Sequence, residues 1–191
     1  MFGFAALAIG YLVAGLQLVR VVRGHRLGVA PLTWAMVGVL SAGWAAFYLN
    51  LGEYPTAIGN IVFSPVALSI AILCSPSRWG ALVKVVSALV VAVAAVFFFP
   101  QVGEPVLATV AAFMLVPQLV VVVKAWRERT SLDGVSVSAW TLNVAVASLW
   151  LAQGVVFRSP EMLFANGVLL LTSIPIVAIV AVQPRRLATG S

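Results

Sequence analysis

The stretch WAMVGVLSAGWAAFYLNLGEYPTAIGN (34–60) has a counterpart in WTLNVAVASLWLAQGVVFRSPEMLFANG (140–167), and three anchors fix the register between them. Trp34 and Trp44 are ten residues apart, as are Trp140 and Trp150. Asn60 then follows Trp44 by sixteen residues, and Asn166 follows Trp150 by sixteen. Two of the three anchors are tryptophan in a chain with six, so the match marks an internal repeat, which sets the fold before any single residue does. Upstream, GLQLVRVVRGHRLGVAPLTW (15–34) aligns with VPQLVVVVKAWRERTSLDGVSVSAW (116–140). That pairing sets Gln17 against Gln118 and Gly28 against Gly134, with a second loop five residues longer.

The repeats sit in a chain of 191 residues that is 63% hydrophobic and 8% charged, with a mean hydropathy of +1.14. A soluble domain of this size needs far more polar surface, so the composition predicts a membrane protein. A helix crosses the hydrocarbon with roughly 20 mostly apolar residues. Such stretches fall at 2–22, 31–51, 56–74, 80–100, 104–125, 136–156 and 161–183, which predicts an all-α protein of seven transmembrane helices. The first has no basic residues before its apolar run and reads as a membrane helix rather than a cleaved signal.

Each repeat takes in three of these helices, and the fourth has no equivalent. A unit with an odd number of crossings would be inverted by direct repetition, and one intervening crossing restores its direction. The expected architecture is 3+1+3 with parallel repeats: a first bundle over 1–75, a linker helix over 76–102, and a second bundle with a short tail over 103–191.

Charge supports the same count. Arg20, Arg23, Arg26, Arg78, Lys84, Lys124, Arg127, Arg129, Arg185 and Arg186 all fall on one side of a seven-span layout, and Arg158 alone falls on the other, with Glu53, Glu104 and Glu161. The excess of basic residues in short loops predicts a cytoplasmic carboxyl terminus and an amino terminus outside, in a plasma-membrane protein. The net charge of +6 is thus an orientation signal and not a nucleic-acid surface.

Cys74 is the only cysteine and His25 the only histidine, so neither a disulfide nor a Cys/His metal site is predicted. No Walker-type loop is present, and no cofactor is implied. An enzyme would have to work with Asn, Ser, Thr and Tyr alone, so a non-enzymatic role is expected. No Asp, Glu or His is required near the bilayer centre, which argues against ion coupling. The matched Asn60 and Asn166 carry carboxamides able to donate and accept, and the matched Trp44 and Trp150 offer flat faces with one indole donor each. These four are the candidate substrate-binding residues; interhelical bridging is the alternative role for the asparagines. Trp34 and Trp140, near the predicted helix ends, are assigned to the aromatic belt.

Pro117 and Gln118, followed by a basic loop and SLDGVSVSAW (131–140), look like a PQ-loop motif. With the 3+1+3 plan, nearly the whole chain resembles the SWEET and SemiSWEET sugar facilitators of the PQ-loop superfamily. That resemblance implies a passive uniporter holding a mono- or disaccharide between two three-helix bundles, with paired asparagines and tryptophans lining the pocket. It also implies prolines as bending points. Pro117 fits that role with Gln118 beside it, whereas the first repeat has Leu16 before Gln17. The fifth helix is therefore expected to bend and the first hardly at all.

Transport of another neutral solute, an amino acid or a vitamin precursor remains an alternative, as does a non-transporting scaffold. A cationic substrate would favour an acid in the pocket, and none is evident in the sequence. The partners expected are a small solute and the lipid bilayer, and Gly- and Ala-rich faces permit homo-oligomer packing.

Overall fold

A computed structural model describes the backbone of residues 2–188 and the side chains of 5–99 and 102–183. The side chains of Arg185 and Arg186, used in the charge reading, lie outside that description. The helices are α1 (Phe2–Val22), α2 (Pro31–Asn50), α3 (Tyr54–Cys74), α4 (Arg78–Phe98), α5 (Pro100–Phe113), α6 (Val116–Glu128), α7 (Val137–Phe157) and α8 (Pro160–Ala188). Seven spans are long and apolar enough to cross a membrane, with α5 and α6 together forming the fifth.

Local chemistry explains these boundaries. Pro31, Pro55, Pro100 and Pro160 occupy first-turn positions, where a missing N–H costs nothing. Ser77 and Ser136 cap α4 and α7, each accepting from the backbone N–H three residues on, at 3.2 Å. Both α6 and α7 end on an arginine in the left-handed region, Arg129 at φ 55° and Arg158 at φ 53°.

The helices are apolar nearly all round, and many of their large side chains face outward. Leu12, Val62, Val90, Val91, Phe97 and Leu171 are exposed, while Ala6, Ala14, Ala57, Ala67 and Ala112 are fully buried. That inversion suits a hydrocarbon solvent, in which close backbone approach through small residues holds helices together. In α4 the buried residues are Val85 and Val96, and Val83, Val86, Val90, Val91, Phe97 and Phe98 form an exposed apolar surface suited to lipid.

Packing follows the same order in both parts of the chain. α1 packs against α3 and α3 against α2; α5 and α6 pack against α8 and α8 against α7. Between these two halves, α1 meets α7, and α2 meets α5 and α6. α4 lies against α2, α3 and α5.

The fifth span is interrupted at Met114 and Leu115. Pro117 lies in the first turn of α6, has no N–H to return to Phe113, and crowds the carbonyl there. The Met114 N–H instead turns back to the Ala111 carbonyl at 3.2 Å, and α6 restarts with the Leu119 N–H on the Leu115 carbonyl at 3.0 Å. α1 runs without a break past Leu16. The two halves therefore differ in continuity where the sequence differs by one proline.

Candidate functional site

The loops between α1 and α2 and between α6 and α7 meet at the end of the molecule that carries most of the basic residues. Gln17, on α1, and Gln118, on α6, are each 1% exposed beneath them. Gln17 donates from Nε2 to the Gly134 carbonyl at 2.6 Å and accepts the Ser136 N–H at 3.4 Å. Gln118 donates to the Gly28 carbonyl at 2.6 Å and accepts the Ala30 N–H at 2.8 Å. In the repeat register Gly28 matches Gly134 and Ala30 matches Ser136. Each glutamine thus satisfies one backbone acceptor and one backbone donor in the opposite half, at equivalent positions.

Glycine lets the two loops touch. A Cβ on Gly134 would lie 2.6 Å from the Leu27 carbonyl oxygen, and one on Gly28 would lie 2.5 Å from Leu132 Cδ2. The Gly134 N–H donates to that Leu27 carbonyl at 2.9 Å. Arg20 donates to the Asp133 carbonyl, and His25 Nδ1 lies 3.4 Å from Asp133 Oδ2. Together these contacts close the basic end.

Beyond this seal lies a cavity of about 250 Å³ between the halves. Asn60, Asn166, Trp44 and Trp150 all line it, while Pro117 does not and Gln17 and Gln118 belong to the seal. Asn60 donates to the Thr56 carbonyl at 3.0 Å and Asn166 to the Met162 carbonyl at 2.8 Å, each four residues back in its own helix. These bonds do not bridge helices, and they fix the carboxamides while leaving acceptor capacity on each oxygen. Trp44 is held by stacking on Tyr48, with centroids 5.9 Å apart at 29°, and by the edge of Phe47 at 5.7 Å.

Trp34 and Trp140 correct an expectation. They are 6% and 5% exposed and line the cavity near the seal instead of standing in a lipid-facing belt. The reason is their place in the first turn of α2 and α7, directly beyond the loops that the glutamines draw inward. All three matched pairs therefore face one space.

Sequence reasoning missed several lining residues. Thr33, which precedes Trp34, and Asn143, one turn beyond Trp140 on the same helix face, both line the cavity. Their repeat counterparts are Ala139 and Val37, so no symmetry signal marked them. Asn143 donates to Ser173 Oγ at 3.0 Å, and the buried Thr33 Oγ1 has no hydrogen-bond partner. Glu104 and Glu161 also line the cavity, at the end away from the seal. The pocket is thus not free of acids, contrary to the reading of its sequence. Glu104, Ala108 and Ala111 follow helical spacing on one face of α5, which carries the carboxylate inward from a position that hydropathy places at a span end.

Comparison with family models, with curated proteins and with solved structures returned no match.

Proposed function

We propose that this protein is a passive alternating-access transporter of a small polyhydroxylated solute, with a sugar as the leading candidate. The reading takes the chain as two parallel three-span repeats, α1–α3 and α5–α8 with α5 and α6 as one span, joined by α4. One observation carries it: both members of each matched pair, Trp34 with Trp140, Trp44 with Trp150 and Asn60 with Asn166, line a single cavity between the halves. Indole faces cover the apolar side of a sugar ring, and the carboxamides exchange hydrogen bonds with its hydroxyls. At about 250 Å³ the space lies just under the usual range for ligand pockets, roughly 300 Å³ and above, which favours a small solute.

The mechanism follows from how the seal is made. Its buried part joins the halves through the two neutral glutamines and backbone groups, with the exposed Arg20 and His25 contacts to Asp133 around it, and each glutamine bond is worth a net of about 1 kcal/mol because water replaces it when the seal opens. Such a closure is specific in register yet inexpensive to break, as two states of comparable stability require. The hydrogen bonds described between the halves gather at the basic end, whereas at the other end the halves meet through apolar packing around Leu107 and the half-exposed Glu104 and Glu161 line the cavity, so we take that end as the one through which the cavity opens. Exchange would part the glutamines from their loops, with the interruption before Pro117 absorbing the change in α6. With most basic residues in the cytoplasm, the cavity would face outward across the plasma membrane.

Uptake of labelled glucose and sucrose into proteoliposomes, against a panel of amino acids and vitamin precursors, tests this reading. Saturable sugar flux that is lost in the Asn60→Ala/Asn166→Ala double variant supports it. Undiminished flux in that variant removes the pocket assignment, and a wild-type protein that moves none of the panel but co-purifies with a stable partner is a scaffold.

A further inference from the structure

We propose that the unsealed end of the cavity is a charge filter that favours a hydroxylated amine, such as an amino sugar, and rejects anionic sugars. This rests on the transport reading above and narrows its substrate class.

Among the described residues, Glu104 and Glu161 are the carboxylates of the cavity lining, and no Lys, Arg or His joins them there. Among the described residues the ion pairs are His25 with Asp133 and Lys124 with Glu128, both at the basic end, so neither carboxylate has a cationic partner. Arg158, the one basic residue at their end, lies beyond the end of α7 and outside the lining. Both acids are half-buried and both stand on inward faces: Glu104 in line with Ala108 and Ala111, and Glu161 beside Met162, with Ala165 one turn on. Glu161 Oε2 accepts from Ser159 Oγ at 3.2 Å, a single bond that leaves most of its acceptor capacity unused. Two like charges at the rim of a low-dielectric cleft focus a negative potential along it and concentrate cations there.

A second observation gives the solute its other end. Thr33 lines the cavity near the seal, is 1% exposed, and its Oγ1 is buried without a partner. Buried polar groups are normally satisfied, so this hydroxyl is available to a group that an occupant brings within its reach. A molecule with hydroxyls toward Thr33, Asn60 and Asn166 and an ammonium toward Glu104 and Glu161 meets both demands. A carboxylate or phosphate in the ammonium's place would meet two uncompensated negative charges.

The test compares glucose, glucosamine below its amine pKa, and glucuronate in proteoliposomes, for the wild type, Glu104→Gln/Glu161→Gln and Thr33→Val. The filter predicts that glucosamine has a KM at least about tenfold below that of glucose at low ionic strength, with the gap shrinking as salt is raised, and that glucuronate is excluded. The double glutamine variant should bring the glucosamine-to-glucose ratio close to one and admit glucuronate. Thr33→Val should weaken both glucose and glucosamine and leave their ratio unchanged. A ratio that ignores both salt and the glutamine substitutions overturns the filter while glucose flux keeps the transport reading intact. Absence of saturable flux for all three solutes in the wild type overturns both.

Discussion

Gln17 and Gln118 are exchanged across the molecule: Gln17 holds the loop that follows the helix of Gln118, and Gln118 holds the loop that follows the helix of Gln17, each through a glycine carbonyl at 2.6 Å. Neither bond is local, since the partners are 117 and 90 positions apart in sequence. The consequence is that these contacts can part only if the two halves separate.

Removing one glutamine should loosen that closure. Gln118→Leu leaves the Gly28 carbonyl and the Ala30 N–H buried without partners, at about 1–3 kcal/mol for such groups. The state open at the basic end should gain about tenfold or more in population. A cysteine introduced as Ala147→Cys, which lines the cavity, in a Cys74→Ser background, would read this through thiol labelling from each side of the membrane. Faster labelling from the basic side is expected, and Gln17→Leu should act in the same direction.

Gly134 should tolerate no side chain. A Cβ there would lie 2.6 Å from a backbone oxygen, which cannot rotate away as a side chain can, so Gly134→Ala must push the loops apart. Gly15 in α1 has open space around it, and Gly15→Ala should be neutral or stabilising by up to about 1 kcal/mol. Thermal unfolding in detergent, together with the labelling assay, separates the two outcomes.

Pro117 should matter more than its repeat counterpart. Proline costs about 3 kcal/mol in a helix interior relative to alanine, so Pro117→Ala should let α5 and α6 join, raise thermal stability and slow exchange at least about tenfold. Leu16→Ala, in a helix that already runs unbroken, should change the exchange rate little. Equal effects of the two substitutions on flux would contradict a hinge confined to one half.

The asparagines should affect binding more than folding. Each donates within its own helix, where the i−4 carbonyl already serves the backbone, so Asn60→Ala and Asn166→Ala should each cost less than about 1 kcal/mol of stability. Loss of a hydrogen bond to the solute at about 1.5 kcal/mol would raise its Kd about tenfold for each. Titration of purified variants with sugar, beside their unfolding curves, checks the split.

The helices were legible because their signals are local. Apolar runs of membrane length gave boundaries that mostly fall within a few residues of the helices, and the duplicated Trp and Asn spacing picked out four residues that line one cavity. The extent of the fifth span was less legible, because its apolar run continues through the interruption before Pro117. The glutamine exchange and the inward placement of Trp34 and Trp140 depend on two loops meeting across more than a hundred positions, which no periodicity reports. Glu104 and Glu161 were misread for a related reason: a carboxylate near a span end looks the same in sequence whether its helix face turns to solvent or to a cavity.

Solute exchange in proteoliposomes loaded with unlabelled sugar, with and without an imposed proton gradient, tests passive alternating access most directly. Labelled sugar should enter faster by counterflow than by net uptake, equilibrate at equal concentrations, and never accumulate when the proton gradient is applied. Accumulation above the external concentration under that gradient, or entry that is neither saturable nor accelerated by internal sugar, would contradict it.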